Sequence, residues 1–182
     1  MKSLTFFTSV IIIFQLVILG CEKSEPLSPV QEIRGPNHSL EKATKTPVEG
    51  TMGVSPSGEP EKIWYTSDGN RHVRGWTIDL SLPADGLGGD LVGTGTFVQN
   101  SNWNSEGTGS VSGPFTVDVE WQGINGTFTT QFAGHVHEYQ LSGSFVAHGS
   151  GGFEGLKWNA TIEGFIGGPY YYSGHILDPK GE

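Results

Sequence analysis

Residues 113–121 alternate without a break: Phe115, Val117, Val119 and Trp121 fall on one parity, Thr116, Asp118 and Glu120 on the other. Side chains along a β-strand point to opposite faces in turn, so this stretch is a strand with one dry face and one wet face. The same alternation recurs down to residue 177, with short turn-rich breaks and no sustained helical period. Such a chain is constrained to an antiparallel all-β domain.

Taken in order, residues 62–66 and 71–80 flank Ser67-Asp68-Gly69-Asn70, a hairpin signal. Further strands are expected over 90–100, over 107–122 with a bend near Gly113-Pro114, and over 127–138 after a turn at Asn125-Gly126. Residues 140–148, 156–165 and 170–177 complete the set. Eight strands with one apolar face each close most simply into a small antiparallel eight-stranded up-and-down barrel over 62–182, because closure removes exposed edges. A β-sandwich built from the same strands is the alternative.

Glycine, at 28 of 182 residues, is about twice as frequent as the usual ~7 % and lacks the every-third-residue period of collagen. Gly93, Gly95, Gly109, Gly113, Gly134, Gly143 and Gly164 share parity with the apolar residues of their own strands. Inward glycine either relieves crowding where a coiled sheet bends or leaves room for a ligand, and bending is the favoured reason.

The first sixty residues read differently. Met1-Lys2 is a short positive start, residues 6–19 are largely apolar, and Ile18-Leu19-Gly20-Cys21 closes the run. That order is a secretory signal over residues 1–20, its apolar core being short for a membrane span. Its end resembles the bacterial lipobox, in which the cysteine becomes the lipidated N-terminus. Acyl chains such as palmitate on Cys21 imply a lipoprotein of the bacterial cell envelope, held on a membrane with its domain outside the cytoplasm. With Cys21 the single cysteine, an intrachain disulfide is excluded. Residues 21–61, rich in Pro, Ser, Glu, Lys and Thr, are expected to form a flexible tether.

A net charge of −9 without any Lys/Arg cluster excludes a nucleic-acid footprint. The domain carries no G-x-S-x-G, phosphate loop or cysteine nucleophile. Asp118 and Glu120 are paired carboxylates, but on the wet face of their strand, where solvation is the expected role. Parity places His72 and Arg74 on the same face as Trp76, Ile78 and Leu80, so both point either into the barrel mouth or, where the strand end projects, into water. An inward arginine suits an anionic or carbonyl-bearing ligand. Trp121, Trp158, Tyr170 and Tyr172 share that interior, as core filling or as ligand contacts. His135-x-His137 is a metal-ligand spacing, and His148 and His175 lie on the polar parity of their own segments, although scattered surface histidines are the commoner outcome. No cofactor is implied.

Residues 149–157, Gly-Ser-Gly-Gly-Phe-Glu-Gly-Leu-Lys, resemble the G-T-G-x-F-x-G-x-R turn of the allene oxide cyclase and dirigent-like barrels, and the turn also stands just before the penultimate strand. Lys157 occupies the place of an arginine, and Trp158 that of a small residue. The resemblance implies an eight-stranded antiparallel barrel with an internal hydrophobic cavity, and it carries over no catalytic position. Three readings follow: a binder of a small, partly apolar ligand, a cyclase- or isomerase-like enzyme in which His72 and Arg74 polarise a substrate, or a structural or carbohydrate-contacting envelope protein using Trp103.

Overall fold

Nine antiparallel strands form one sheet in the computed structural model, which describes residues 42–84 and 90–181. They are β1 (Thr44–Pro56), β2 (Lys62–Tyr65), β3 (Arg71–Leu82), β4 (Val92–Trp103), β5 (Gly109–Trp121), β6 (Ile124–His137), β7 (Gln140–Gly151), β8 (Lys157–Phe165) and β9 (Tyr170–Asp178). The order is β1-β9-β8-β7-β6-β5-β4-β3-β2, and β1 also pairs with β3. That last pairing closes the ring, with Gly53 opposite Ser81 and Pro56 opposite Ile78. The first part of β1 meanwhile runs along β9, from Thr44 opposite Asp178 to Met52 opposite Tyr170. The result is an eight-stranded up-and-down barrel, with β2 as a ninth strand paired to the start of β3. The ring closes within residues 44–178, and the alternative sandwich is not formed.

The residues behave as their alternation dictates. On β5, Val111, Phe115, Val117 and Val119 are buried while Ser112, Asp118 and Glu120 are exposed. β-Branched and aromatic residues suit such a half-buried pleated surface. Three departures from the sequence reading stand out.

First, part of the expected tether is wall. Residues 44–56 form β1, and Val48 and Met52 are buried in the core. Its prolines, Pro47 and Pro56, disguise the strand, because proline removes a ladder donor. The signal segment and lipidated Cys21 expected from the sequence lie outside the described residues. Second, the β5–β6 turn is at Gln122-Gly123, with φ of 52° and 78°, and Asn125-Gly126 lies within β6 opposite Glu120 and Val119. Gly126 is held there by packing: a Cβ on it would lie 2.5 Å from the Phe153 ring. Third, β3 carries a bulge. Val73 pairs with Ser101 and Trp76 with Gln99, so Arg74 and Gly75 together face one partner residue. Gly75 takes φ +64° and donates its N–H to Asn100 Oδ1 at 3.2 Å. The extra residue reverses parity on either side of the bulge.

The inward glycines serve close approach of strands. A Cβ on Gly95 would lie 2.2 Å from the Thr116 carbonyl oxygen, and one on Gly109 would lie 1.8 Å from that of Asn102. Neighbouring backbone already fills that space, as a tightly coiled barrel requires.

Strand direction gives the barrel two distinct ends. The β2–β3, β4–β5, β6–β7 and β8–β9 turns gather at one end; the β5–β6 and β7–β8 connections gather at the other, where β1 begins and β9 finishes. The second end is filled with rings. Trp158, fully buried, is ringed by Phe145 at 4.8 Å, Tyr172 at 5.3 Å, Phe128 at 5.7 Å and Phe115 at 6.3 Å between centroids. Phe153 caps the stack, lying 4.9 Å from Phe128 at an interplanar angle of 17°, with Trp121 edge-on to it at 6.4 Å.

Candidate functional site: an apolar cavity open at one end

The first end is hollow. A cavity of about 180 Å³ reaches inward between β1, β3, β4, β5 and β6, with Phe115, Phe132 and Ile162 among its deeper walls. Met52, Val54, Ile78, Leu80, Val111 and Leu141 line its sides, and Pro56, Trp76, Trp103, Ile166 and Gly167 also border it. None of the seven inward glycines lines it. Its walls mix aliphatic residues with rings such as Phe97, Phe132 and Tyr170 that leave the centre open, whereas the rings of the other half stack and fill it.

Polar groups on this lining are few and uncharged. Gln99 donates through Nε2 to Ser101 Oγ at 3.1 Å, and Trp76 donates its indole N–H to the Gly58 carbonyl at 3.0 Å. Burial raises the Tyr170 hydroxyl above its ordinary pKa, against a smaller opposing effect of the Gly167 backbone amide. The cavity therefore offers hydroxyl and amide groups to a ligand, and no charged side chain among the described residues lines it.

The expected ligand contacts divide three ways. Trp76 and Tyr170 line the cavity. Trp121, Trp158 and Tyr172 belong to the packed end and take no part in it. Burial pushes the Tyr172 hydroxyl up to about 12, partly opposed by the Leu91 backbone and reinforced by the nearby Asp90 carboxylate. His72 and Arg74 are outside, because the bulge at Gly75 turns Val73 inward in their place. His72 stacks on Trp64 at 4.9 Å and 9°, and Arg74 is exposed. Trp103 points inward as a cavity wall, not outward as a carbohydrate platform. Its indole nitrogen is buried without a partner among the described residues.

The four histidines do not converge. His135 and His137 lie on β6 towards the open end, whereas His148 on β7 and His175 on β9 lie towards the packed end with β8 between them. Among the described residues no three His, Cys, Asp or Glu side chains are grouped to hold a metal. Asp118 and Glu120 are exposed, and Asp118 accepts the Thr127 hydroxyl at 2.6 Å.

Sequence reasoning missed Gln99 and most of the aliphatic walls, although their inward parity was readable. It also missed the role of residues 149–157. That glycine-rich turn seats Phe153 as the cap: a Cβ on Gly149 would meet the Phe153 carbonyl oxygen at 2.1 Å.

No family model matches this chain, and no curated protein matches it. Among solved structures it is similar to a crystal structure from Shewanella oneidensis MR-1, a protein of unknown function from the DUF3224 family. The TM-score is 0.57 and the sequence identity 18 %, over 75 % of this chain and 96 % of that one. The likeness is one of fold.

Proposed function

We propose that this chain is a lipid-anchored protein of the bacterial cell envelope whose barrel binds a small, uncharged, largely apolar ligand through its open end. The observation that carries the reading is the cavity of about 180 Å³ and its almost wholly apolar lining. An engineered cavity of ~150 Å³ with comparable walls stays dry and binds benzene, so the size suits a single ring or a short branched chain. Charge is selected against, since no cation on the lining compensates a buried carboxylate. The lipobox-like Ile18-Leu19-Gly20-Cys21 supports the anchor.

The cyclase-like alternative loses its motivation, because the pair meant to polarise a substrate lies beyond the wall. Calorimetric titration with benzyl alcohol and benzoate tests the binding reading. The alcohol should bind and the benzoate should not, and Val111→Phe, which fills the cavity, should abolish binding while preserving the melting temperature. Equal affinity for both compounds, or binding untouched by Val111→Phe, would place the ligand elsewhere.

A further inference from the structure

The aromatic side chains that remain exposed are not scattered. Among the described residues they are Trp64, Tyr65, Tyr139, Phe165 and Tyr171, and every one lies towards the open end. Among the described residues, the large apolar side chains exposed at the packed end are aliphatic, Val92 and Ile124. Following the ring, the aromatics occupy neighbouring positions: the β6–β7 turn, the end of β8, the start of β9, and β2. The remaining side of the mouth, the β4–β5 turn, presents Asn104, Ser105 and Glu106. The apolar arc is therefore one-sided, and it borders an apolar cavity.

The arc is also held rigidly at a conformational cost. Glu138 and Tyr139 form a two-residue turn with φ of 50° and 64°, a geometry for which Asn-Gly is the usual choice and a bulky residue is unfavourable. Tyr139 is fixed there by its N–H to the Gly107 carbonyl at 3.0 Å and by the Ile166 N–H to its own carbonyl at 2.8 Å. Its ring covers Gly107, where a Cβ would lie 2.6 Å from ring atoms. An exposed aromatic retained in a strained turn marks a contact surface.

We propose that this arc seats the mouth on the interfacial region of a lipid bilayer. Rings with one apolar and one polar part concentrate at that depth of a membrane. An apolar ligand partitions into the same layer, so a cavity opening beside the arc meets its ligand where it is concentrated. The chain allows the approach: residues 22–43 span at most ~75 Å, more than the ~43 Å of a 13-residue strand such as β1. Charge on the arc is mixed. Lys62 lies 5.1 Å from the Trp64 ring centre, and Glu138 and Glu163 flank Tyr139 and Tyr171. The attraction is accordingly apolar and tolerant of salt.

The test uses the unit Ser39–Glu182, which holds the complete ring and no anchor. It should co-sediment with mixed phosphatidylethanolamine–phosphatidylglycerol vesicles, in high salt as in low. Replacing Tyr139, Phe165 and Tyr171 together by serine should lower the partition coefficient roughly tenfold. Val92→Ser with Ile124→Ser should leave it unchanged, and Tyr139→Trp should raise it at an unchanged melting temperature, which separates the gain from misfolding. Failure to sediment, release by high salt, or equal losses at the two ends would overturn the proposal. None of these outcomes bears on whether benzyl alcohol enters the cavity.

Discussion

Removing the indole of Trp158 should cost more than any other single truncation in the barrel. Burial of this ring is complete, and four aromatic neighbours lie within 6.3 Å of it. Truncating a buried tryptophan to alanine costs roughly 3–5 kcal/mol, combining lost transfer energy with an unfilled cavity. Two of the neighbours, Phe145 and Tyr172, stand at 89° and 81° to it. Edge-to-face pairs of that kind add about 0.5–1.5 kcal/mol each beyond buried area. The upper part of the range, about 4–5 kcal/mol, is therefore expected for Trp158→Ala. Total stabilities lie near 5–15 kcal/mol, and in a domain of this size each kcal/mol moves the melting temperature by about 3–4 °C, so the drop should be roughly 12–20 °C. Trp158→Phe is the informative control. The indole nitrogen has no hydrogen-bond partner among the described residues, so its removal breaks no bond among them, and about 1–2 kcal/mol should suffice for the lost volume. Trp121→Ala, half-buried and touching Phe153 alone among aromatic rings, should cost less than about 2 kcal/mol. Urea unfolding with an unchanged slope, alongside calorimetry, gives all three values. A Trp158→Ala protein within about 1 kcal/mol of the parent would refute the view that this cluster holds the packed end together.

Gly95→Ala should lose about 2–3 kcal/mol, because the added methyl meets strand backbone that cannot move aside; an unaltered melting temperature would mean the strands part freely. Tyr170 and Tyr172 both hold their protons beyond the ordinary tyrosine range. For Tyr172, pushed up to about 12 from the unfolded ~10, the contribution to stability is whole below about pH 10 and disappears as pH climbs through about 12, and Tyr170 acts in the same direction. Phenolate absorbance should then show two of the five tyrosines titrating late and together with alkaline unfolding; five uniform titrations would contradict it. Arg74→Ala should leave benzyl alcohol affinity unchanged, since the side chain is outside the wall, and a clear loss would return it to the site. If Cys21 carries the proposed acyl chains, Cys21→Ser should weaken membrane association to the level of the anchor-free unit Ser39–Glu182, whereas pelleting as strong as that of the parent would show that anchoring lies elsewhere.

Parity along the sequence was enough to reach an all-β barrel and seven of its eight ring strands, with residues 62–66 standing outside the ring in place of β1, because a strand with one dry face must hide it and a closed ring does so without edges. The same device fails wherever an extra residue enters a strand. At Gly75 one bulge residue moves His72 and Arg74 out of the interior and Val73 into it, and no local composition signals the change. Asn125-Gly126 shows the opposite failure: a strong local turn signal yields to long-range packing under Phe153. β1 was hidden by its prolines and by its place at the end of a Pro- and Ser-rich stretch that reads as a tether. The walls of the cavity were legible as inward residues, but hollowness was not. Whether facing side chains meet or leave a gap depends on strand stagger and ring orientation, which no single strand encodes.

The two ends of the barrel solve one packing problem differently, and the difference has a functional direction. At the packed end, glycines at 126 and 149 let Phe153 drop onto Phe128, so rings close the bore to water. At the open end, Phe97 and Phe132 meet edge-on at 5.8 Å but leave Leu80, Val111 and Leu141 facing space. A barrel needing only stability would fill that space, since each cavity forfeits dispersion contacts its lining would otherwise make. The apolar surface continues outward past Ile166 to Phe165 and Tyr139 instead of stopping at the rim. Unfilled core, strained turn and exposed rings thus lie on one side of the molecule. Each costs stability when alone; under the two proposals an apolar ligand would fill the first and a membrane surface would cover the exposed rings that the strained turn helps to hold.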